Sequence, residues 1–427
     1  MNDMLDFKFI RENRHFIESS LKKRRVDFPL DKLLELDSQR RSVIKELQEL
    51  RHKRNVVTEQ VAAMKREGKD ASNMITQMKE VGEAISVLEK KLSSIEEELA
   101  ALEFRMPNIV MDSVPEGTSE EDNVVVRSWG EIRQLSNAAD HIDIGLKFSL
   151  IDVERAARTS GSRFYYLVDD LVRLNHSLIQ YGLDFCTEKG MSLLQPPYML
   201  KGDVMRGAVD LAAFEDSIYK IEGEDLYLLT TSEHAILAFH MKEIIDGKKL
   251  PLRYAGISPC FRREAGAHGR DTKGIFRVHQ FEKVEQFVFC RPEESEKEHE
   301  ILIKNAEEFF QSLEIPYRVV NICSGELGAP AAKKYDLEAW LPGQGKYREM
   351  VSASNCTDWQ ARRLGIKFRD KMGDEPQYLH TLNSTLVATE RAMIAIMENY
   401  QNEKGFEVPK VLRKYMNGQE FIPLLRK

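Results

Sequence analysis

The stretch from Ser258 to Cys290 concentrates residue types that suit a long, charged ligand. Arginines suit phosphate oxygens, a phenylalanine suits the face of a purine, and a carboxylate suits an ammonium group. The alternation of residues predicts two antiparallel strands joined by a polar loop over Ala265–Gly274. The predicted pairing places the candidate side chains on one face: Arg262, Glu264, Arg277, Phe281 and Glu285. A solvated face laced with ion pairs is the alternative interpretation of this charge pattern.

Glu349 and Ser352 lie in a strand predicted over Tyr347–Asn355. Successive side chains of a flat strand point to opposite faces, so these two residues, three apart, would face in opposite directions. A magnesium ion shared by this carboxylate and this hydroxyl therefore requires a bend or a β-bulge between them. Otherwise the glutamate serves as a salt-bridge partner.

Arg391 lies in the first turn of a helix that follows Thr389 and is apolar on most sides, which predicts a buried helix. The helix dipole disfavours a cation at this end, so a buried arginine here needs an anionic partner. That partner is Glu390, another side chain or the phosphate of a ligand.

Thr231, Ser232 and Glu233 follow a short apolar strand predicted over Leu226–Leu229. Considered locally, either hydroxyl residue can cap the helix predicted over Glu233–Ile245.

Two segments near the N-terminus carry heptad spacing, which predicts two long helices. Apolar residues repeat every seven positions from Leu36 to Met64, and they recur at intervals of four and three from Met74 to Leu102. A glycine-containing break at 66–70 predicts that the two helices form an antiparallel hairpin. This hairpin is too long to pack within one domain and must project from it. The first helix is rich in cations and the second in glutamate. The hairpin is either a dimerisation coiled coil or a rod that presents a basic side to a polyanion.

The composition is that of a soluble globular protein of two or three domains: 427 residues, 42% hydrophobic and 31% charged. The net charge of −7 argues against general nucleic-acid binding, so any RNA contact needs a local basic patch. There is no run of eighteen apolar residues and the N-terminus is charged, which predicts a cytoplasmic protein without a membrane span. The five cysteines form no C-x-x-C pair, so no zinc ribbon is indicated. Lost periodicity and prolines predict a linker over 105–135.

Several segments resemble motifs of the class II aminoacyl-tRNA synthetases. Motif 2 is resembled by the F-R-R-E segment, its loop and the R-x-x-x-F segment that ends at Phe281. The segment around Pro197 is similar to motif 1. The segment T-L-V-A-T-E-R, which ends at Arg391, is similar to motif 3. With the T-S-E triplet, the Y-R-E segment and the helical hairpin, they resemble the seryl-tRNA synthetase family across the whole chain. Motif 3 departs from many members, because Glu390 stands where they carry glycine or another small residue.

The resemblance implies an α/β (α+β) fold. A long N-terminal antiparallel coiled-coil hairpin would join a class II catalytic domain built on a mixed, mainly antiparallel β-sheet flanked by helices. A tRNA-binding domain would span 1–110, with the hairpin at about 31–104, and the catalytic domain 111–427. The resemblance also implies a homodimer through motif 1, magnesium without zinc, and no membrane partner.

The implied activity is ATP-dependent formation of seryl-adenylate, followed by transfer of serine to the 3′-terminal adenosine of tRNA(Ser); charging of tRNA(Sec) stays open. The alternatives are a class II paralogue that loads an amino acid onto a carrier protein and a non-catalytic coiled-coil interaction protein. No general base is required, because the serine carboxylate is already a nucleophile.

The resemblance assigns site residues by position. The serine-binding residues would be Thr231, Ser232, Glu233, Arg262, Glu285, Asn383 and Thr385. The ATP-binding residues would be Arg262, Arg263, Glu264, Arg277, Val278, Phe281, Glu349, Met350, Val351, Ser352 and Arg391. Glu349 and Ser352 would hold magnesium, and Arg262, Arg391 and Glu349 would act in catalysis. The tRNA-binding residues would be Arg40, Arg41, Arg51, Lys53, Arg54, Lys65 and Arg66.

Overall fold

The computed structural model describes residues 6–133, 135–209, 215–265, 271 and 273–423. The chain divides into two compact units. One contains Asp6–Lys22 and Val26–Pro107, and the other contains Lys23–Arg25 and the chain from Asn108 onwards. Within the described ranges, no helix is long and apolar enough to cross a membrane.

Four helices form the N-terminal part: α1 (Phe7–Glu12), α2 (Arg14–Arg24), α3 (Leu30–Arg66) and α4 (Ser72–Arg105). Helices α3 and α4 form the predicted antiparallel hairpin, and heptad residues such as Leu33, Leu47, Ile95 and Leu99 are buried between them. The ion pairs Lys32–Glu98 (3.3 Å) and Arg51–Glu89 (2.7 Å) also join the two helices in antiparallel register. The heptad residues between α3 and α4 form the seam of the hairpin. This seam is less buried towards the turn, where Leu50, Val57 and Met64 are half-buried.

Asp37, on the inner side of α3, is fully buried and pairs with arginines of α1 and α3. Its carboxylate accepts hydrogen bonds from Arg11 (2.6 Å), Arg40 (3.0 Å) and Arg41 (3.1 Å). This pairing explains how Arg40 is accommodated at a seam position of the coiled coil, where an unpaired cation would cost stability.

The second unit is built from short helices and many strands. Its helices are α5 (His141–Lys147), α6 (Val153–Ser160), α7 (Asp170–Glu188), α8 (Gly202–Ala208), α9 (Ser232–Phe239), α10 (Ser295–Ser312), α11 (Trp359–Leu364), α12 (Thr389–Asn399) and α13 (Lys410–Arg413). Its strands are β1 (Val124–Trp129), β2 (Ile151–Asp152), β3 (Tyr166–Leu167), β4 (Ser192–Leu194), β5 (Met199–Lys201), β6 (Leu226–Leu228), β7 (Ile244–Asp246), β8 (Leu252–Phe261), β9 (Gln280–Cys290), β10 (Tyr317–Asn321), β11 (Lys333–Leu341), β12 (Lys346–Asn355), β13 (Lys367–Arg369), β14 (Gln377–Tyr378), β15 (His380–Ala388), β16 (Gln401–Asn402), β17 (Gly405–Glu407) and β18 (Phe421–Ile422).

An eight-stranded sheet forms the centre of this unit, in the order β1-β10-β11-β12-β15-β9-β8-β4. Every neighbouring pair is antiparallel except β4 and β8, which run parallel. The predicted fold, a helical hairpin with a mixed, mainly antiparallel sheet, is therefore confirmed.

Helices cover both faces of the sheet, which is why the central strand β9 is buried along most of its length. Val284 and Val288 of β9 lie in the same apolar core as Leu174 of α7. Phe287 and Phe289 alternate with them and pack in a second core with Ile236 of α9. Because the sheet is buried on both faces, polar groups on its strands must find partners within the protein.

Several local predictions differ from the structure. The helix predicted over Glu233–Ile245 ends at Phe239, because Ile244–Asp246 instead pairs with β13 as strand β7. Part of the predicted linker is ordered, since Val124–Trp129 pairs with β10. The prediction that Arg277 lies in a strand is wrong: β9 begins at Gln280, and the amide of His279 donates to the carbonyl of Arg163 (3.1 Å). In the predicted Ala265–Gly274 loop, 266–270 and 272 lie outside the described residues.

Candidate active site

A cavity of about 390 Å³ opens above the middle of the sheet. Most of the predicted serine and ATP residues line it, including those that lie far apart in the chain: Thr231, Glu233, Arg262, Glu264, Arg277, Val278, Phe281, Glu285, Glu349, Met350, Ser352, Asn383, Thr385 and Arg391. The sheet order explains this convergence, because β8, β9, β15 and β12 are consecutive neighbours.

Strands β8 and β9 provide the floor of the cavity. Phe281 pairs in register with Cys260, and the guanidinium of Arg262 lies 4.9 Å from the centre of the Phe281 ring. Beyond the strands, Arg277 donates to Glu264 (2.9 Å). The ion pair predicted for a solvated hairpin is thus present, but it lies in the wall of a cavity.

One end of the cavity holds a buried acidic side chain, Glu285, which is 1% exposed. One of its oxygens, Oε2, accepts a hydrogen bond from Thr385 Oγ1 (3.0 Å) and lies 2.7 Å from Lys283 Nζ. Lys283 also donates to Thr231 Oγ1 (2.7 Å), and Thr231 in turn caps α9 by accepting from the amide of Glu233 (3.3 Å). The predicted capping role of Thr231 is therefore present together with a place in the cavity wall.

Glu233 lies in the same region and accepts a hydrogen bond from Gln360 Nε2 (2.8 Å). Burial and the nearby Glu285 carboxylate raise the pKa of Glu233 to about 7, although Gln360, Lys283 and Arg262 oppose this rise. A cationic ligand group placed beside Glu233 would favour its ionised form.

Strand β12 contains the bulge that a shared magnesium site requires. Leu337 pairs with Val351 and Glu338 pairs with Glu349, so Met350 is the additional residue on β12. As a result Glu349 and Ser352 both line the cavity. A carboxylate and a hydroxyl fit magnesium, which prefers oxygen ligands and keeps several waters or phosphate oxygens. The described ranges contain no cluster of three or more His, Cys, Asp or Glu side chains suited to a metal.

Arg391 contacts the same carboxylate: its Nη1 donates to both Oε1 and the carbonyl oxygen of Glu349, each at 3.0 Å. Its anionic side-chain partner is therefore Glu349. Burial alone would raise the pKa of Glu349, but the charges of Arg391 and Lys334 outweigh this effect and lower it. An arginine and a carboxylate already in contact can separate to bind a phosphate and a metal ion, because each retains its charge.

Lys334 on β11 also lines this part of the cavity, and Asp336 on the same strand pairs with it. Their charged groups lie 3.1 Å apart, and Asp336 accepts a further hydrogen bond from Ser352. Burial raises the pKa of Asp336, with Lys334 opposing the rise. Sequence reasoning missed both residues, because no motif marks them.

Three predicted residues do not face the cavity with their side chains. Ser232 is fully buried and donates to the carbonyl of Gly256 (3.3 Å), and Val351 lies in the apolar core. Arg263 is exposed. Sequence reasoning also missed Gln360, whereas Lys283 had a usable signal, because it alternates with Phe281 and Glu285 on β9.

Glu390, the unusual residue of the T-E-R segment, is accommodated by a network of donors. Its carboxylate accepts from the Tyr165 hydroxyl, from the Glu282 amide (3.1 and 3.2 Å) and from Thr389 Oγ1 (3.1 Å). Burial raises its pKa to about 7, although Tyr165 and the Glu282 amide oppose the rise. These contacts tie the start of α12 to β9, next to Arg391.

Two family models match the chain. Residues 4–110 match the seryl-tRNA synthetase N-terminal domain, and residues 216–400 match the core domain of class II tRNA synthetases (G, H, P, S and T).

Full-length relatives are similar over almost the entire chain. A serine–tRNA ligase of Nitrosopumilus maritimus is 53% identical, with 98% of this chain and 100% of the relative aligned. The crystal structure of seryl-tRNA synthetase from Pyrococcus horikoshii complexed with ATP superposes with a TM-score of 0.93 at 48% identity, covering 99% of this chain and 100% of that one. The crystal structure of a cytoplasmic serine–tRNA ligase from Naegleria fowleri in complex with AMP superposes with a TM-score of 0.90 at 39% identity, covering 100% of this chain and 100% of that one.

The raised pKa of Glu390 predicts a pH dependence of stability. Between its ordinary value of 4.5 and about 7, the folded protein keeps a proton on Glu390 that the unfolded chain releases. This group therefore makes stability fall as pH rises through that window, by up to about 1.4 kcal/mol per pH unit. Urea unfolding between these pH values should show a shallower fall for Glu390→Gln. The control Glu407→Gln, an exposed carboxylate on β17, should keep the native slope. Equal slopes for native protein and Glu390→Gln would contradict the buried proton.

Proposed function

Because the chain belongs to the seryl-tRNA synthetase family, we propose that it activates L-serine with ATP and transfers the serine to the 3′-terminal adenosine of tRNA(Ser). One observation carries this proposal: a single cavity joins an acidic cluster, Glu233 with Glu285, to a wall that carries Arg277, Arg391, Glu349 and Ser352. Arg262 connects the two regions, since its charge opposes the rise in the pKa of Glu233 and contributes to the lowered pKa of Glu349.

The acidic end suits the serine zwitterion. Its ammonium would be received by Glu233 and Glu285, and its carboxylate by Arg262. Its hydroxyl would meet Thr385, whose own hydroxyl already donates to Glu285 (3.0 Å). Asn383 lines the same end and adds a neutral polar group, while Ser232 supports the Thr231 segment from the core.

The cationic end suits ATP. Phe281 would stack on the adenine, Arg262 would bind the α-phosphate, and Arg277 and Arg391 would bind the far phosphates. Magnesium held by Glu349 and Ser352 would neutralise charge on the departing pyrophosphate. Glu264 holds Arg277 in place, and Met350 forms the bulge that directs Glu349 and Ser352 into the cavity.

In the first step, the site acts mainly by aligning serine with ATP. The serine carboxylate attacks the α-phosphorus, pyrophosphate leaves, and seryl-adenylate remains. Binding both substrates beside Arg262 supplies the near-attack geometry and the positive charge that the pentacovalent transition state requires. In the second step the hydroxyl of the terminal adenosine attacks the carbonyl carbon of the adenylate, and AMP leaves.

A homodimer through the motif 1 segment is part of the proposal. Strand β4 is an edge of the eight-stranded sheet, and β5 follows it shortly after Pro197. Leu193 and Met199 beside this edge are 46% and 47% exposed, which suits an apolar interface with a second copy of the chain.

ATP–pyrophosphate exchange tests the activity and the role of Thr385. Among the twenty amino acids, serine should support exchange best, and alanine should be rejected by up to roughly 10⁴-fold, because it leaves buried polar groups unpaired. Thr385→Val should weaken serine activation and narrow the serine/alanine ratio. Exchange with another amino acid instead of serine would overturn the function. An unchanged ratio in Thr385→Val would overturn only the role of Thr385.

The α3–α4 hairpin supports tRNA binding through part of its basic face. Arg40, Arg41 and Arg51 are each paired with a carboxylate within the hairpin region. Farther along α3, the remaining predicted tRNA contacts are exposed to solvent: Lys53, Arg54, Lys65 and Arg66. We propose that this farther group contacts the backbone of the long variable region of serine tRNA, reading its shape more than its bases.

Charge removal on the hairpin separates tRNA binding from activation. The test variant replaces Lys53, Arg54, Lys65 and Arg66 with Gln, and the control variant replaces four exposed cations of α4: Lys79, Lys90, Lys91 and Arg105. The test variant should lose tRNA affinity by orders of magnitude and flatten the slope of log affinity against log salt, while serine-dependent exchange is retained.

The control variant should keep most of the tRNA affinity. Equal losses in the two variants would contradict a specific role of α3. Full charging by the test variant would remove this group from tRNA recognition. Arg40→Gln with Arg41→Gln should instead lower the melting temperature, because these arginines partner the buried Asp37.

A further inference from the structure

A buried lysine, Lys283, lies in the acidic end of the cavity. It is 6% exposed, and its ammonium lies 2.7 Å from both Thr231 Oγ1 and Glu285 Oε2. A lysine is rarely buried in this way unless it is paired. Its position on β9, between Phe281 and Glu285, places it in the wall where the amino acid is proposed to bind.

We propose that Lys283 is a positioning residue that compensates the buried charge of Glu285 and thereby keeps Glu233 ionised for the substrate ammonium. This inference rests on the proposed function and refines it, because it adds a residue that controls the charge of the serine pocket.

The hydrogen bonds distinguish the two carboxylates. Glu285 already has a cation, Lys283, and a hydroxyl donor, Thr385, on the same oxygen. Glu233 accepts from a neutral amide, that of Gln360, and Gln360 is held in turn by Thr381 Oγ1 (2.7 Å). Among the described residues, Glu233 has no cation at hydrogen-bond distance. An incoming ammonium therefore finds an uncompensated carboxylate at Glu233 and a compensated one at Glu285.

The charges of the pocket also balance only when Lys283 is counted. Glu233 and Glu285 contribute two negative charges, and Lys283 and Arg262 contribute two positive ones. A zwitterionic amino acid adds no net charge, so the loaded pocket stays neutral. Without Lys283 the pocket would carry a net negative charge in a buried setting, and one carboxyl group would take up a proton.

Glu233 is the group that responds to this balance. Burial and Glu285 raise its pKa to about 7, and Lys283 and Arg262 hold it from rising further. The other titratable groups nearby stay uncharged: burial lowers the pKa of His234 to about 3 and raises the pKa of the Cys260 and Cys356 thiols. Serine binding through ionised Glu233 should therefore strengthen as pH rises through about 7, because a protonated carboxyl group cannot pair with an ammonium.

Calorimetric titration of serine into the full-length protein, from about pH 6 to about pH 8.5, tests the role of Lys283. In Lys283→Met the midpoint of the pH dependence should move up by about one pH unit or more, and serine affinity at pH 7 should fall roughly tenfold. ATP affinity should change little. Lys283→Arg, which keeps the charge, should restore the midpoint close to the native value.

Glu285→Gln provides a second test with the opposite sign. Removing this carboxylate charge should move the midpoint down, because Glu285 is a cause of the raised pKa of Glu233. The proposal is overturned if Lys283→Met leaves the midpoint unchanged, whatever the result for Glu285→Gln, or if serine and ATP affinities fall together in Lys283→Met. If Lys283→Met does not fold, Lys283→Gln is measured in its place and judged by the same outcomes. Failure of the proposed function is recognised separately, since native protein would then show no serine-dependent exchange.

Discussion

Pairing of opposite charges on the central strands and beside them is the interaction on which the cavity depends. Both faces of the eight-stranded sheet are covered by helices, so an ionised group on a central strand has little access to water. Such a group persists only when a partner lies within hydrogen-bond distance. Lys283 with Glu285 on β9 and Lys334 with Asp336 on β11 are such partners. Arg391 of α12 also pairs with Glu349 of β12, where the Glu349 side chain is 43% exposed.

These pairs also explain how the site can keep charged side chains available for charged substrates. Among the groups proposed to bind phosphate, metal and amino acid, Arg277, Glu285, Glu349 and Arg391 are each paired with an opposite charge before any substrate arrives. Binding then exchanges these partners for substrate groups of the same sign. Preorganised charges of this kind stabilise a transition state effectively, because little reorganisation is needed during the reaction.

The same rule operates in the helical hairpin with a different outcome. Asp37 is buried and holds Arg11, Arg40 and Arg41, so these arginines contribute to the packing of the helices. The cations farther along α3 are exposed, and they are the ones whose charge an RNA backbone can use. A count of basic residues on α3 therefore overstates the number available to a polyanion.

The sequence by itself determined the elements whose signals are periodic. Heptad spacing predicted α3 and α4, alternation predicted the β8–β9 pair, and motif order indicated the family. Only the tertiary structure decided the identity of partners. It assigned Arg391 to Glu349 rather than to Glu390, ended α9 at Phe239, and placed Lys283 between Thr231 and Glu285. From the sequence, a bulge between Glu349 and Ser352 was only a condition for a shared magnesium site, and the β11–β12 register shows that the bulge is present at Met350. The physical reason is that periodicity reports which face of an element is buried, whereas contacts such as Arg391 with Glu349 or Lys283 with Thr231 join residues that are distant in the chain and meet only in the folded structure.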